Sequence, residues 1–124
     1  MPALTYNQMV VQMGAQLSDA EVDAIFHALA DATRRDIVTR VIERERSVSA
    51  LAELYDMSFA AVQKHVAVLE RASLVTKQRR GREQIVHAEP SAIRDARRLL
   101  DRFEDLWRQR IDRMQSILDE GEER

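Results

Sequence analysis

The run SALAELYDMSFAAVQKHVAVLERASLV, residues 49–75, organises the rest of this 124-residue chain. Its spacing predicts a short helix opened by a Ser49 cap, with Leu51, Ala52 and Leu54 inward. Tyr55, Asp56 and Met57 form a turn, and Ser58 caps a second helix. In that second helix Val62, Val66 and Leu69 stand at i, i+4 and i+7, the stripe that faces a core. Phe59, Ala60, Gln63 and Lys64 lie off the stripe, leaving an outward face that is small, polar and basic.

Working outward, residues 75–78 and 84–88 read as two short strands rich in Val, Ile and Thr. Arg79-Arg80-Gly81-Arg82 joins them, and Gly81 supplies the positive φ of a tight hairpin. Upstream, Ser18 with Glu21 forms a capping box for a helix whose apolar face is Val22, Ile25, Phe26 and Leu29. Asp31 caps a helix over residues 32–43 with Ile37, Val38, Val41 and Ile42 inward, and the pattern breaks around Arg46. Residues 1–16 carry no charged side chain, and Leu4, Tyr6, Met9, Val10, Met13 and Leu17 recur at helical spacing. Downstream, Pro90 and Ser91 open one helix to about residue 119. Its stripe runs through Ile93, Leu99, Leu100, Phe103, Leu106, Trp107, Ile111, Met114, Ile117 and Leu118. A helix of ~28 residues is about 42 Å long, more than a 14.3 kDa chain covers by itself. The excess apolar stripe calls for a second copy of the chain.

Length and composition give one domain, residues 1–124, with 45% hydrophobic and 32% charged residues. There is no cysteine, so disulfides and thiolate metal sites are excluded. No apolar run reaches membrane-spanning length and the N-terminus lacks the features of a signal peptide. A cytoplasmic location without a membrane partner is expected. Net charge is −2, but it is unevenly placed. Residues 58–88 hold Lys64, Arg71, Lys77, Arg79, Arg80 and Arg82 against Glu70 and Glu83, whereas residues 118–124 hold Arg124 against Asp119, Glu120, Glu122 and Glu123. One basic face and acidic ends suit a surface that meets phosphates on one side.

Helix, turn, helix and charged hairpin is the order in which a winged helix-turn-helix meets duplex DNA. ALADATRRDIV (residues 28–38), VSALAELYDMSFAAVQKHVAVLERASLV (48–75) and RRGREQIVHAEP (79–90) resemble the ArsR-type winged helix-turn-helix repressors, most of all their metal-independent branch. The resemblance is strong over residues 26–90. It implies a mostly α fold with a small β-hairpin wing at 75–88 and a helix-turn-helix at 48–72. Helices at 1–17 and 91–119 would build a homodimer interface. It also implies a regulator, a repressor on an inverted-repeat operator. Departures are Ala32 in place of a usual Pro, Gln63 in place of a common Ser, and Ser73 in place of a usual Gly. Residues 51–56 lack the thiols of the metal-sensing members and residues 91–124 contain no His, so neither metal sensing nor a cofactor carries over.

The candidate DNA-binding residues are Ser58, Phe59, Ala60, Gln63, Lys64, His65, Lys77, Arg79, Arg80 and Arg82. Ser58 is a helix cap that also faces the phosphate-favouring end of the dipole. Gln63 suits adenine, Lys64 suits guanine or a phosphate, and Phe59 and Ala60 suit thymine methyls. Phe59 reads equally well as an apolar contact under the turn, and His65 as a hydrogen-bonding group within the domain. Three arginines within four residues repel one another unless an anion compensates, which DNA would do. Arg34 and Arg35, at a helix start where cations oppose the dipole, are expected to pair with Asp31 and Asp36 rather than approach a phosphate. His27 and His87 have no acidic or thiol neighbour at ligand spacing and read as ordinary residues. No nucleophile–base pair or phosphate loop marks an enzyme. A helical protein-interaction adaptor, with the long helix as its working surface, is the competing function. The operator and any small-molecule inducer are not specified by the sequence.

Overall fold

The computed structural model describes residues 17–122. In chain order it contains α1 (Asp19–Leu29), α2 (Ala32–Glu43), β1 (Arg46–Ser47), α3 (Val48–Ala52), α4 (Phe59–Arg71), β2 (Val75–Arg80), β3 (Glu83–Ala88) and α5 (Ser91–Glu122). The helix expected over residues 1–16 lies outside the described residues.

Side-chain caps start the helices. Ser18 Oγ accepts from Glu21 N at 3.1 Å, Asp31 Oδ1 from Arg34 N at 2.9 Å and Ser58 Oγ from Ala61 N at 3.1 Å. Each satisfies an amide that the first turn leaves open. The short helix departs from expectation: Ser47, not Ser49, caps it, accepting from Ala50 N at 3.0 Å. The reason is β1. Arg46 and Ser47 pair antiparallel with Val86 and Ile85, so the chain is extended up to Ser47 and turns helical directly after it. A pattern break at Arg46 is thus a third strand, and the sheet order is β1-β3-β2.

The core is built by α1–α4 around the sheet. Ile25, Ile37, Leu51, Val62, Val66, Leu69, Leu74, Val75 and Val86 are fully buried. The α4 stripe (Val62, Val66 and Leu69) falls where its spacing placed it, and each such side chain contributes about 1.5–3 kcal/mol by leaving water. Three inward assignments fail. Leu54 is exposed because the helix ends at Ala52. Phe26 is exposed because Ala28 takes the buried place on α1. Ile42 is 65% exposed although it shares a face with Val38. It rims an open apolar cavity of about 140 Å³ with Leu74, Pro90 and Ile93 instead of being covered.

Helix α4 is followed, two residues past its end, by Ser73, whose φ is +59°. Ser73 N donates to Glu70 O and Leu74 N to Leu69 O, both at 3.0 Å. That pair of bonds is a Schellman cap, which turns the chain from α4 into β2 and ordinarily uses glycine. The hairpin is tighter than expected: Arg79 and Arg80 belong to β2, Arg80 pairs with Glu83, and only Gly81 and Arg82 form the loop. Gly81 has φ +61°. Helix α5 runs 32 residues, about 48 Å at 1.5 Å per residue. Ala92, Ala96 and Leu99 are buried, while Leu100, Trp107, Ile111, Met114, Ile117 and Leu118 are exposed.

Candidate nucleic-acid interface

Burying the Val62/Val66/Leu69 stripe turns the opposite face of α4 outward. Ser58, Phe59, Ala60, Gln63 and Lys64 are all exposed. The wing hairpin stands beside this face, and between them lies a groove of about 240 Å³ lined by Ser49, Phe59, Gln63, Lys77, Arg82 and Gln84 among others. Phe59 lines this groove and is about half exposed. Lys77 Nζ lies 3.5 Å from Glu70 Oε1, an ion pair that ties the wing to the flank of α4.

The wing arginines do not act as one cluster. Strand alternation places Lys77, Arg79 and Gln84 on the same sheet face as buried Val75 and Val86. Arg80 falls on the other face, with Ile85 and His87. There its guanidinium donates to both oxygens of Glu45, at 2.6 and 3.4 Å. Glu45 Oε2 also lies 2.9 Å from His87 Nδ1. The Arg80 hydrogen bond holds the Glu45 carboxyl below its ordinary range, against the smaller opposing effect of desolvation. So part of the anion demanded by the crowded arginines is internal. Arg79 Nε donates to Gly81 O at 3.2 Å and shapes the loop. Arg82 has neither ion pair nor hydrogen bond among the described residues and is exposed.

Arg34 and Arg35 do not pair with Asp31 and Asp36. Arg34 Nε donates to Ala28 O at 2.8 Å and its NH2 to His27 O at 3.0 Å, while Arg35 NH1 donates to Leu29 O at 2.7 Å. Both cap the open carbonyls at the end of α1, where the dipole favours cations. Asp36 is instead engaged by Tyr55 Oη at 2.6 Å and Arg40 Nε at 2.7 Å. Those two bonds lower its pKa, Tyr55 having the larger effect. Arg34 NH1 also lies 3.3 Å from His65 Nδ1, so half-buried His65 is joined to the α1–α2 junction. Arg34 and Glu45 are the residues that sequence reasoning missed. Arg34 carried a signal, a cation five residues past the last residue of a helix; Glu45 carried none.

Helix-turn-helix domains match residues 29–78. The HTH-type transcriptional regulator Rv2034 of Mycobacterium tuberculosis is 37% identical over 81 residues, 65% of this chain and 76% of that protein. An ArsR-like transcriptional regulator from Rhodococcus sp. RHA1 superposes with a TM-score of 0.75 at 31% identity, covering 81% of this chain and 92% of that one. The chain belongs to the ArsR family of winged helix-turn-helix transcriptional regulators. A homodimeric winged helix-turn-helix DNA-binding domain from Mycobacterium bovis shares the fold at 21% identity, with a TM-score of 0.59 over 85% of this chain and 91% of that one. As an ArsR-family regulator the protein binds DNA and is not an enzyme. The sequence has no cysteine, and among the described residues no group of three His, Asp or Glu is arranged to hold a metal ion.

Proposed function

We propose that this ArsR-family regulator works as a cytoplasmic homodimeric repressor that occupies an inverted-repeat operator with half-sites about one helical turn apart. The observation that carries the reading is the pairing of the exposed α4 face with the wing across one groove. A major groove about 12 Å wide admits α4 with its N-terminal half against the base edges. Gln63, Lys64, Phe59 and Ala60 would read bases, and Ser58 would meet a phosphate at the helix N-terminus. Arg79 and Arg82 would lie along the flanking backbone. His65 and Lys77, held by Arg34 and Glu70, would set helix and wing in place. The α5 stripe, within residues 91–119, would form the subunit contact. Repression then needs only occupancy, with control exerted through the spacing of the two α4 helices.

The test is affinity measured against salt for two variants. Arg82→Ala should weaken operator and random duplex alike and lower the slope of log K against log salt by about 1.8, or about 0.9 for each subunit's phosphate. Gln63→Ala should leave the slope alone and narrow the gap between operator and random duplex, by roughly tenfold per subunit. A salt-independent interaction would sink the reading.

A further inference from the structure

Arg80 looks like a third phosphate ligand in the sequence, yet its surroundings give it other work. It lies on the sheet face opposite Lys77 and Arg79. Both of its terminal nitrogens are committed to Glu45, and Glu45's second oxygen is shared with His87. Glu45 sits in the connection from α2 to β1, 35 residues from Arg80 in sequence. The contact therefore ties the end of β2, one residue from the Gly81 turn, back to the body of the domain. The base of the hairpin is held by the two β1 pairs, by buried Val75 and Val86 and by the Lys77–Glu70 ion pair, whereas the Glu45 contact holds its turn end. A bidentate guanidinium–carboxylate pair fixes direction as well as distance, which a single lysine contact does not.

We propose that Glu45 is the positioning residue of the wing, with Arg80 as its anchor. The pair fixes the angle at which Arg82 is presented to the DNA backbone, and Arg80 itself does not bind phosphate. The inference rests on the DNA-binding reading above but concerns a different pair of residues. A pair this exposed contributes little to global stability; its effect is on where the wing points.

Charge exchange separates an anchor from a phosphate ligand. Arg80→Glu should weaken duplex binding strongly. Glu45→Gln should weaken it about two- to fivefold per subunit with the salt slope unchanged. The double variant Glu45→Arg with Arg80→Glu restores the pair with reversed polarity. It should recover affinity to within about threefold of the parent, the non-additivity expected of a direct contact. If the double variant binds as weakly as Arg80→Glu, or Arg80→Ala lowers the salt slope by about 1.8, Arg80 is a phosphate ligand and the proposal is wrong. Hydrogen exchange on the free protein gives a readout without DNA. Glu45→Gln and Arg80→Ala should speed exchange of the β2–β3 amides while leaving α4 protected, and the charge-exchanged variant should slow it again. Unchanged hairpin protection in all three would also overturn the anchor. A parent that ignores duplex yet shows the hairpin effect would refute the DNA reading and leave the strut standing.

Discussion

Replacing Trp107 by alanine should break the subunit contact. Trp107 lies midway along the exposed stripe of α5 and is 66% exposed in the single chain. An indole side chain offers up to about 250 Å², so roughly 160 Å² is available for a partner to cover. At about 25 cal/mol per Å² the ceiling is about 4 kcal/mol for each copy. Side-chain ordering and partial coverage reduce this to about 2 kcal/mol. Two-fold symmetry counts the loss twice, about 4 kcal/mol, which raises the dimer dissociation constant by roughly a thousandfold. Sedimentation equilibrium across a wide concentration range measures this directly. The parent should be dimeric at micromolar concentration and Trp107→Ala mostly monomeric, with amide hydrogen-exchange protection of α1–α4 retained. Operator affinity should fall along with dimerisation, because one α4 cannot span two half-sites. A Trp107→Ala protein that dimerises as tightly as the parent would refute α5 as the contact.

Two further outcomes concern the fold that presents α4. Ser73→Gly should raise stability by about 0.5–1 kcal/mol, or about 4 °C in Tm, since a left-handed non-glycine residue costs about 1–2 kcal/mol and the extra freedom glycine loses on folding offsets part of it; thermal melts showing a loss instead would contradict the Schellman cap. Tyr55→Phe should cost about 1.5 kcal/mol at neutral pH by removing the bond to the Asp36 carboxylate. Because Asp36 titrates below its ordinary value, this difference should hold above the usual carboxylate range and shrink as acid drives the pH down through the lowered value. At the alkaline end, burial first and then the Asp36 bond push the Tyr55 phenol up to about 12. The stability gained from it should persist below about pH 10 and fade as the pH approaches 12.

The parts of this molecule that were legible in sequence are those with a local period or a local cap. The Val62/Val66/Leu69 stripe needs only a helical repeat. The caps at Ser18, Asp31 and Ser58 need a partner amide three residues away. The family resemblance, not a local period, put Ser73 where a Gly usually follows the helix, and its backbone is left-handed there. What escaped was non-local. Two residues of β1 show no alternation, so the strand became visible only through its pairing with Ile85 and Val86. That strand moved the short helix's cap from Ser49 to Ser47. Glu45 and Arg80 meet across 35 positions, and no rule of spacing connects them. Arg34 and Arg35 show a subtler limit: their clash with their own helix dipole is real, but the carbonyl end of the preceding helix resolves it. Ile42 shares its face with buried Val38, yet among the described residues it only rims an open cavity with Leu74, Pro90 and Ile93.

The central claim is that two copies of α4, held by α5 and flanked by wings, read a symmetric duplex. Selection of bound sequences from a random duplex pool by the purified protein tests it most directly. The account predicts enrichment of an inverted repeat whose half-sites are centred about one helical turn, roughly 10–10.5 base pairs, apart. Recovery of no enriched sequence, or of a single unrepeated site bound by a monomer, would contradict it.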